Sequence, residues 1–380
     1  MLLKEEDCLI QQAAKKIASK HIQPFADEWA KNKTFPQPAI NALAEAGFMG
    51  ILIPETYNGS ECNYVAYVLI LEEIAKADGA TATIVSVHNS VACLPILNFG
   101  ADTQKEQFLK PMAQGKLLGA FCLSEPQAGS DAKNIMTKAT KQGDSFVLNG
   151  VKQFVTSGDV ADVAIVFAVT GQSKQDAQKE ISAFIVPTDT PGFQVAKIER
   201  KMGQHASNIA QIVLDDVKIP ASNLLGDIGQ GYKIALSTLE CGRLGVAAQA
   251  LGMAQQAFNV TLQYAHEREA FGKTLFQHQA IQFKFSEMAT NIEAARQLLY
   301  HTAAKHDAKQ LVLKEAAMTK LFTTETAEKV CRECLQIFGG YGYLSDYPIE
   351  RIYRDVRVTT IYEGSSDIQK IIIAKSLGLS

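Results

Sequence analysis

Gly143–Gly158 reads GDSFVLNGVKQFVTSG, and this stretch decides how the chain divides. Apolar and β-branched residues alternate with polar ones, and Asn149-Gly150 stands near the middle. That pattern predicts two strands joined by a tight Asn-Gly turn. Similar runs follow at Asp162–Val169 (DVAIVFAV), Ile181–Thr188 (ISAFIVPT), Gly192–Arg200 (GFQVAKIER) and Asn208–Pro220 (NIAQIVLDDVKIP). Short strands divided by Gly, Asn, Asp and Pro predict a small β-barrel or sandwich domain over residues 118–228.

On either side the periodicity turns helical. Glu5–Lys31 carries apolar residues at helical spacing. Pro38–Gly50 predicts a short helix ended by Gly47 or Gly50. Asn63–Gly100 is long and very apolar, which predicts buried helices broken at Gly79 and ended at Gly100. The next helix is expected to start on Asp102 or Thr103 as cap and to end at Gly115. Beyond residue 229, Tyr232–Glu269 reads as one very long helix, followed by Gln279–Gln310 and Leu311–Gly340. Ser365–Gly378 closes the chain. Long apolar helices with short connections predict a four-helix bundle over 229–380. The fold class expected is α+β, with an N-terminal helical domain (1–117), the β domain, and the bundle.

Composition narrows the functional classes. The 380 residues are 47% hydrophobic and 20% charged, with a net charge of −3 and no long run of one sign. Nucleic acid and anionic membrane are therefore not expected as general partners. No apolar run is expected to reach the ~20 residues of a membrane span. The first residues, MLLKEEDCLIQQAAKK, have neither signal-peptide nor transit-peptide character, so a cytoplasmic location is expected. The seven scattered cysteines are expected to be reduced. Cys331 and Cys334 read as two thiols on one helical face, not as half of a metal site.

Five motifs then fall in order along this layout: Cys122–Asp131 (CLSEPQAGSD), Gly242–Gly252 (GRLGVAAQALG), Glu267–Lys273 (EREAFGK), Gln336–Asp355 (QIFGGYGYLSDYPIERIYRD) and Ile361–Asp367 (IYEGSSD). Together they resemble the acyl-CoA dehydrogenase family over essentially the whole chain, most closely its short-chain and short/branched-chain members. The resemblance implies the three-domain fold and FAD as cofactor. It also implies a reaction in which a base removes the α-proton of an acyl-CoA while FAD takes a hydride from the β-carbon. The product is a trans-2-enoyl-CoA, and an electron-transfer flavoprotein receives the electrons.

A thioester α-proton is weakly acidic, so its base must be poised and the developing enolate oxygen stabilised. By residue type alone Glu363 reads equally well as a first-turn carboxylate favoured by the helix dipole. The resemblance identifies it as the base, with its own backbone N–H and a FAD hydroxyl as the oxygen's donors. Ile361 and Tyr362 are expected to supply an apolar setting that raises its pKa, and Gly364 to let the backbone approach substrate. Some family members keep the base directly before the arginine of the GR pair. Here that position is Gly242, which has no side chain to serve.

The remaining sites are implied by the resemblance. Phe121, Leu123 and Ser124 match one segment along the flavin ring, and Phe154 and Thr156 match a second. Phe154 stands where many relatives carry tryptophan, and its bland reading is a core aromatic. Arg268 and Phe271 match pyrophosphate contacts across a subunit interface. Gln279, Gln336, Gly339 and Gly340 match contacts to a neighbour's FAD. Ser365 and Asp367 match the adenosine side, and both also read as helix-capping residues. Ser130, Arg243, Tyr362 and Gly364 are the expected acyl-CoA contacts, with Arg243 either touching ligand or supporting the Glu363 loop. Asn134 replaces a small residue and implies a minor loop change. No strand-GxGxxG-helix unit exists, so FAD is not expected in the Rossmann manner. A site shared between subunits implies a homo-oligomer, a tetramer.

Three alternatives stand beside this reading. One is an acyl-CoA oxidase with oxygen as acceptor. Another is a decarboxylating relative acting on glutaryl-CoA, which needs a deep cation that the pocket helix Thr83–Asn98 offers only in His88. The third is a helical binding protein without catalysis.

Overall fold

The computed structural model describes residues 3–172 and 178–379, and its elements run helices, strands, helices. Gly47, at φ +77°, follows the short helix Gln37–Glu45. The side chain of Asn63 caps helix Tyr64–Ala77 by accepting from the Ala66 amide at 2.8 Å. Asp78 then turns the chain: extended at φ −158°, it caps Gly79–Val87 through the Thr81 amide at 2.7 Å. The interruption is thus an aspartate N-cap, and Gly79, expected as the breaker, is the first residue of the second helix.

The path continues through a π-helical turn, His88–Cys93, to Phe99. This corrects one expectation. Gly79–Phe99 is long and apolar enough to cross a membrane, but 94% of its most apolar 18-residue stretch is buried inside the protein, which makes it a core helix. A smaller correction concerns helix Asp102–Gln104. Its cap is Ala101, because the Gln104 side chain accepts from the Ala101 amide at 3.0 Å.

Eight strands form one mixed sheet: β1 Gly119–Cys122, β2 Lys138–Gln142, β3 Ser145–Thr156, β4 Val163–Gln172, β5 Lys179–Pro187, β6 Phe193–Ile198, β7 Ile209–Pro220 and β8 Leu224–Leu225. Their order is β6-β7-β3-β2-β4-β5-β8, with β1 parallel to β4. Alternation separates two cores. Val163, Ile165 and Phe167 of β4 join the helical core, while Ala164, Val166 and Ala168 meet Phe146, Phe184 and Ile212 on the sheet's other face.

The expected hairpin at Asn149-Gly150 is not there. β3 runs straight through both residues with a bulge, and the turn into it is Gly143-Asp144, where Gln142 faces Ser145. Asn149 is held within the sheet instead. Its side chain donates to Asp216 and accepts the Asp216 amide, both at 2.9 Å. Gly150 is required for a different reason: a Cβ there would lie 2.7 Å from the Thr137 backbone.

The bundle is built on Gly231–Glu267, a helix of 37 residues that packs on Leu313–Phe338 and on Tyr64–Ala77. Gln279–Asp307 and Ser366–Ser376 complete it. The long helix lies directly on the N-terminal helices: a Cβ at Gly252 would stand 2.4 Å from the Glu72 carbonyl oxygen. Buried Glu72 ties the layers together, accepting the Tyr300 hydroxyl at 2.7 Å with Lys76 at 3.3 Å and Arg296 at 3.4 Å. Cys331 and Cys334 are buried one turn apart, and Cys334 Sγ lies 3.7 Å from Met288 Sδ, a packing contact.

Candidate active site

Glu363 sits between a 3₁₀ turn, Arg357–Thr360, and helix Ser366–Ser376, whose cap is the Ser365 hydroxyl accepting from the Ile368 amide at 3.4 Å. Glu363 and Gly364 are both left-handed, at φ +52° and +92°. For glutamate that backbone costs on the order of 1–3 kcal/mol and persists only where surrounding contacts impose it. Here they are two side-chain donors. Lys320 Nζ gives to the Gly364 carbonyl at 2.9 Å, and Gln369 Nε2 gives to the same carbonyl at 2.8 Å and to that of Glu363 at 3.3 Å.

This turn sends the Glu363 carboxylate onto the bare flank of the long helix at Gly242. A Cβ built on Gly242 would lie 1.8 Å from Glu363 Oε2. Oε2 is buried and has no hydrogen-bond partner among the described residues. Burial pushes the carboxyl up to about 7, against the opposing pull of Lys320 and Arg243. The apolar setting is not the one expected from sequence. Ile361 is 55% exposed, since the turn points it outward, and burial comes from the long helix. Tyr362 acts as an anchor: its hydroxyl donates to Gln249 and lies 3.4 Å from Thr83 Oγ1, which gives to Gln204 at 2.7 Å. Buried Arg243 leaves Nε and Nη1 without partners.

A second cluster joins the ends of β1 and β3. The Gln153 amide donates to the Ser124 carbonyl at 2.9 Å, and Lys152 Nζ donates to the Leu123 carbonyl at 3.2 Å. Phe121, Leu123, Ser124, Phe154 and Thr156 are thereby brought side by side. Phe154 lies at a bulge with φ +59° and is 64% exposed, which excludes a core aromatic. Two residues before it in β3, Lys152 pairs with Glu125 at 2.8 Å, both side chains buried. Glu125 also accepts from Met136 N at 2.6 Å, Thr137 N at 3.0 Å and Gln127 Nε2 at 2.7 Å. Burial opposes its charge, but Lys152 and these donors outweigh it and hold the carboxyl at about 2. Breaking such a pair strands a buried charge. Lys152→Met is expected to lose ~3–5 kcal/mol of unfolding free energy in chemical denaturation. Unchanged stability would show that the amide donors alone suffice for Glu125.

A third cluster lines a cavity of about 580 Å³: Arg268, Gly339 and Gly340 with Tyr264, Tyr341 and Leu344. The Arg268 guanidinium lies 5.3 Å from the Tyr341 ring centroid. Among the described residues, chain neighbours aside, nothing lies within 4 Å of where a Cβ would stand on Gly339 or Gly340. Gln336 is exposed beside this cavity, near the end of helix Leu313–Phe338. Phe271 is 97% exposed on the hairpin Glu269–Thr274, and Gln279 is exposed at the start of its helix. Neither lines the cavity within one chain. Ser130 is exposed on its loop, where Asn134 bonds Asp131. Asp367 is exposed and faces Lys370 at 3.7 Å.

Sequence reasoning missed Lys320, Lys152, Glu125, Gln249 and Gln204. For the two lysines a signal existed. Lys320 follows Ala316 and Ala317 on the apolar face of its helix, and Lys152 falls among buried positions of β3. A lysine at an apolar position is seldom buried without a partner.

Fold and site together define an oxidoreductase of the acyl-CoA-handling flavoproteins. Family models for the acyl-CoA dehydrogenase N-terminal, middle and C-terminal domains match residues 4–116, 120–217 and 229–378. The chain belongs to the acyl-CoA dehydrogenase family, whose members are FAD-dependent. It is similar to the mitochondrial short-chain specific acyl-CoA dehydrogenase of Rattus norvegicus, with 43% identity over 99% of this chain and 90% of the relative. Among solved structures it is similar to a chain described under the electron transferring flavoprotein of Acidaminococcus fermentans, with 42% identity, a TM-score of 0.96 and 99% of both chains covered. Butyryl-CoA dehydrogenase from Megasphaera elsdenii gives 40% identity and a TM-score of 0.96, again over 99% of both chains. The residues present fit FAD: the open cradle over Gly339 and Gly340, the exposed Arg268 and the outward ring of Phe154 leave room for a dinucleotide.

Proposed function

We propose that the protein dehydrogenates short-chain acyl-CoA thioesters, branched ones included, to trans-2-enoyl-CoA, with Glu363 removing the α-proton and electrons passing to an electron-transfer flavoprotein. The observation that carries this is Glu363 Oε2 over Gly242, an acceptor with no hydrogen-bond donor among the described residues. A carboxyl poised near 7 is matched to proton abstraction at neutral pH. The Glu363 N–H stabilises the thioester oxygen as charge develops, and Gly364 keeps the approach clear. Arg243, with two free donors, serves the acyl-CoA, as do Tyr362 and Ser130. FAD, when bound, supplies the hydride acceptor. Phe121, Leu123, Ser124, Phe154 and Thr156 line its ring. Arg268, Phe271, Gln279, Gln336, Gly339 and Gly340 reach FAD across a subunit interface, with Ser365 and Asp367 on the adenosine side. The assembly is a homotetramer, the location cytoplasmic, and the domain boundaries fall after residues 117 and 228. The electron-transferring flavoprotein context of one structural relative supports the acceptor.

Short acyl chains are supported by what lies one turn beyond Gly242. A Cβ at Gly245 would stand 2.2 Å from Ser86 Oγ and 2.6 Å from the Tyr67 hydroxyl, so two buried polar groups close on the helix there and would limit the room for a long acyl chain. The butyryl-CoA and short-chain relatives agree with it. His88 does not supply the cation of a glutaryl-CoA pocket. It accepts the Gly119 amide at 3.0 Å, lies 3.0 Å from the Met112 carbonyl, and burial lowers it to about 4. The test is anaerobic loss of flavin absorbance with butyryl-, isobutyryl-, 2-methylbutyryl-, glutaryl-, octanoyl- and lauroyl-CoA. The short chains should bleach fastest. Fastest bleaching by lauroyl-CoA, or by none, overturns the reading. Reduced enzyme that reacts rapidly with oxygen and ignores the flavoprotein would make it an oxidase.

A further inference from the structure

Lys320, in the N-terminal third of helix Leu313–Phe338, is fully buried. A buried ammonium is costly unless charge or dipole answers it. Its hydrogen bond goes to the Gly364 carbonyl, the carbonyl that Gln369 also holds. Gln369 is itself fully buried on helix Ser366–Ser376. Two donors from two helices thus close on the one strained turn that carries Glu363.

We infer that Lys320 is a positioning residue for proton abstraction: its ammonium fixes the Glu363–Gly364 turn and places a positive charge behind the Glu363 carboxylate. The inference rests on Glu363 being the base. The long helix turns Arg243 and Cys241 toward that carboxylate, with Glu240 facing Arg243. Helix Leu313–Phe338 presents Lys320, with Glu325 near it. Tyr67 faces it from Tyr64–Ala77, and Tyr362 from its own segment. Burial raises Cys241, Tyr67 and Tyr362, so near pH 7 they are neutral. Lys320 and Arg243 are then the cations that hold Glu363 down. Removing Lys320 raises Glu363 further, and a base that must be ionised then works only at higher pH.

Acetyl-CoA isolates this step, because it has an α-carbon but no β-carbon from which hydride could leave. Exchange of its methyl protons in D₂O, followed by ¹H NMR on the FAD-loaded enzyme, reports proton abstraction alone. Lys320→Met is expected to slow exchange ~10-fold or more near pH 7 and to move the acid limb upward by about one unit, with acetyl-CoA binding within ~3-fold. Lys320→Gln, which keeps a donor for the Gly364 carbonyl, should move the limb alike and serves if the methionine variant does not fold. Gln369→Leu leaves the cation and should slow exchange with the limb unmoved. A parental limb in the Lys320 variants, or a parental rate in Gln369→Leu, overturns the inference. Exchange that persists in Glu363→Gln overturns the base assignment instead, so the two failures are distinct.

Discussion

Glu363→Gln is expected to keep FAD and bind acyl-CoA while reducing its flavin about 10²–10⁴-fold more slowly than the parent, the scale of a positioned general base. The amide fills the same space at Gly242 but cannot take a proton. In the parent, flavin reduction should fall as pH drops through about 7, because the carboxyl protonates there and the base is lost. The variant should lack that limb. Stopped-flow absorbance with butyryl-CoA across pH 5.5–8.5 measures both, and a parental rate in the variant removes Glu363 from the chemistry. Stability moves the other way. A carboxyl raised on folding binds its proton more tightly in the folded chain, so its contribution to stability is present at low pH and lost as pH rises through about 7. The glutamine variant should therefore melt higher than the parent at pH 8, with the gain fading toward pH 4.

Gly242→Ala is the second large effect. Its methyl would stand 1.8 Å from Oε2 and 2.8 Å from Cδ of Glu363, and 3.3 Å from Oε1. Alanine favours a helix interior over glycine by roughly 1 kcal/mol, so the helix itself has no reason to yield. The carboxylate must move, and with it the strained turn. Displacing a reacting group by about 1 Å is worth ~10²-fold in rate. The expected variant binds FAD, melts within a few degrees of the parent, and turns over ~10²-fold or more slowly. Parental turnover would mean that the carboxylate works from somewhere other than this contact.

The two positions show how far sequence reading reaches. The family resemblance implied positions 363 and 242 as alternative places for one base, and the geometry sets the Glu363 carboxylate in the space that Gly242 leaves. The helices were legible because period and length agree over long stretches, as in the 37-residue Gly231–Glu267. The Asn149-Gly150 turn was misread because the same dipeptide also serves a bulge, and only the partner strand decides which. Here Asp216 on β7 holds Asn149 in the sheet. Ile361 was misread as cover for Glu363 because apolar neighbours in sequence need not share a side of a left-handed turn.

Sequence by itself determined the order of helical and β segments and the motif residues, and it left position 242 without a side chain. Periodicity and residue type are local quantities, so one chain read in order contains them. Only the tertiary structure decided that Lys320 reaches the Gly364 carbonyl from 44 positions away, that Lys152 and Glu125 pair in the interior, and that Phe154 points outward. These depend on which faces of distant elements meet, and the charge on a buried group is set by those neighbours and not by its own place in the chain.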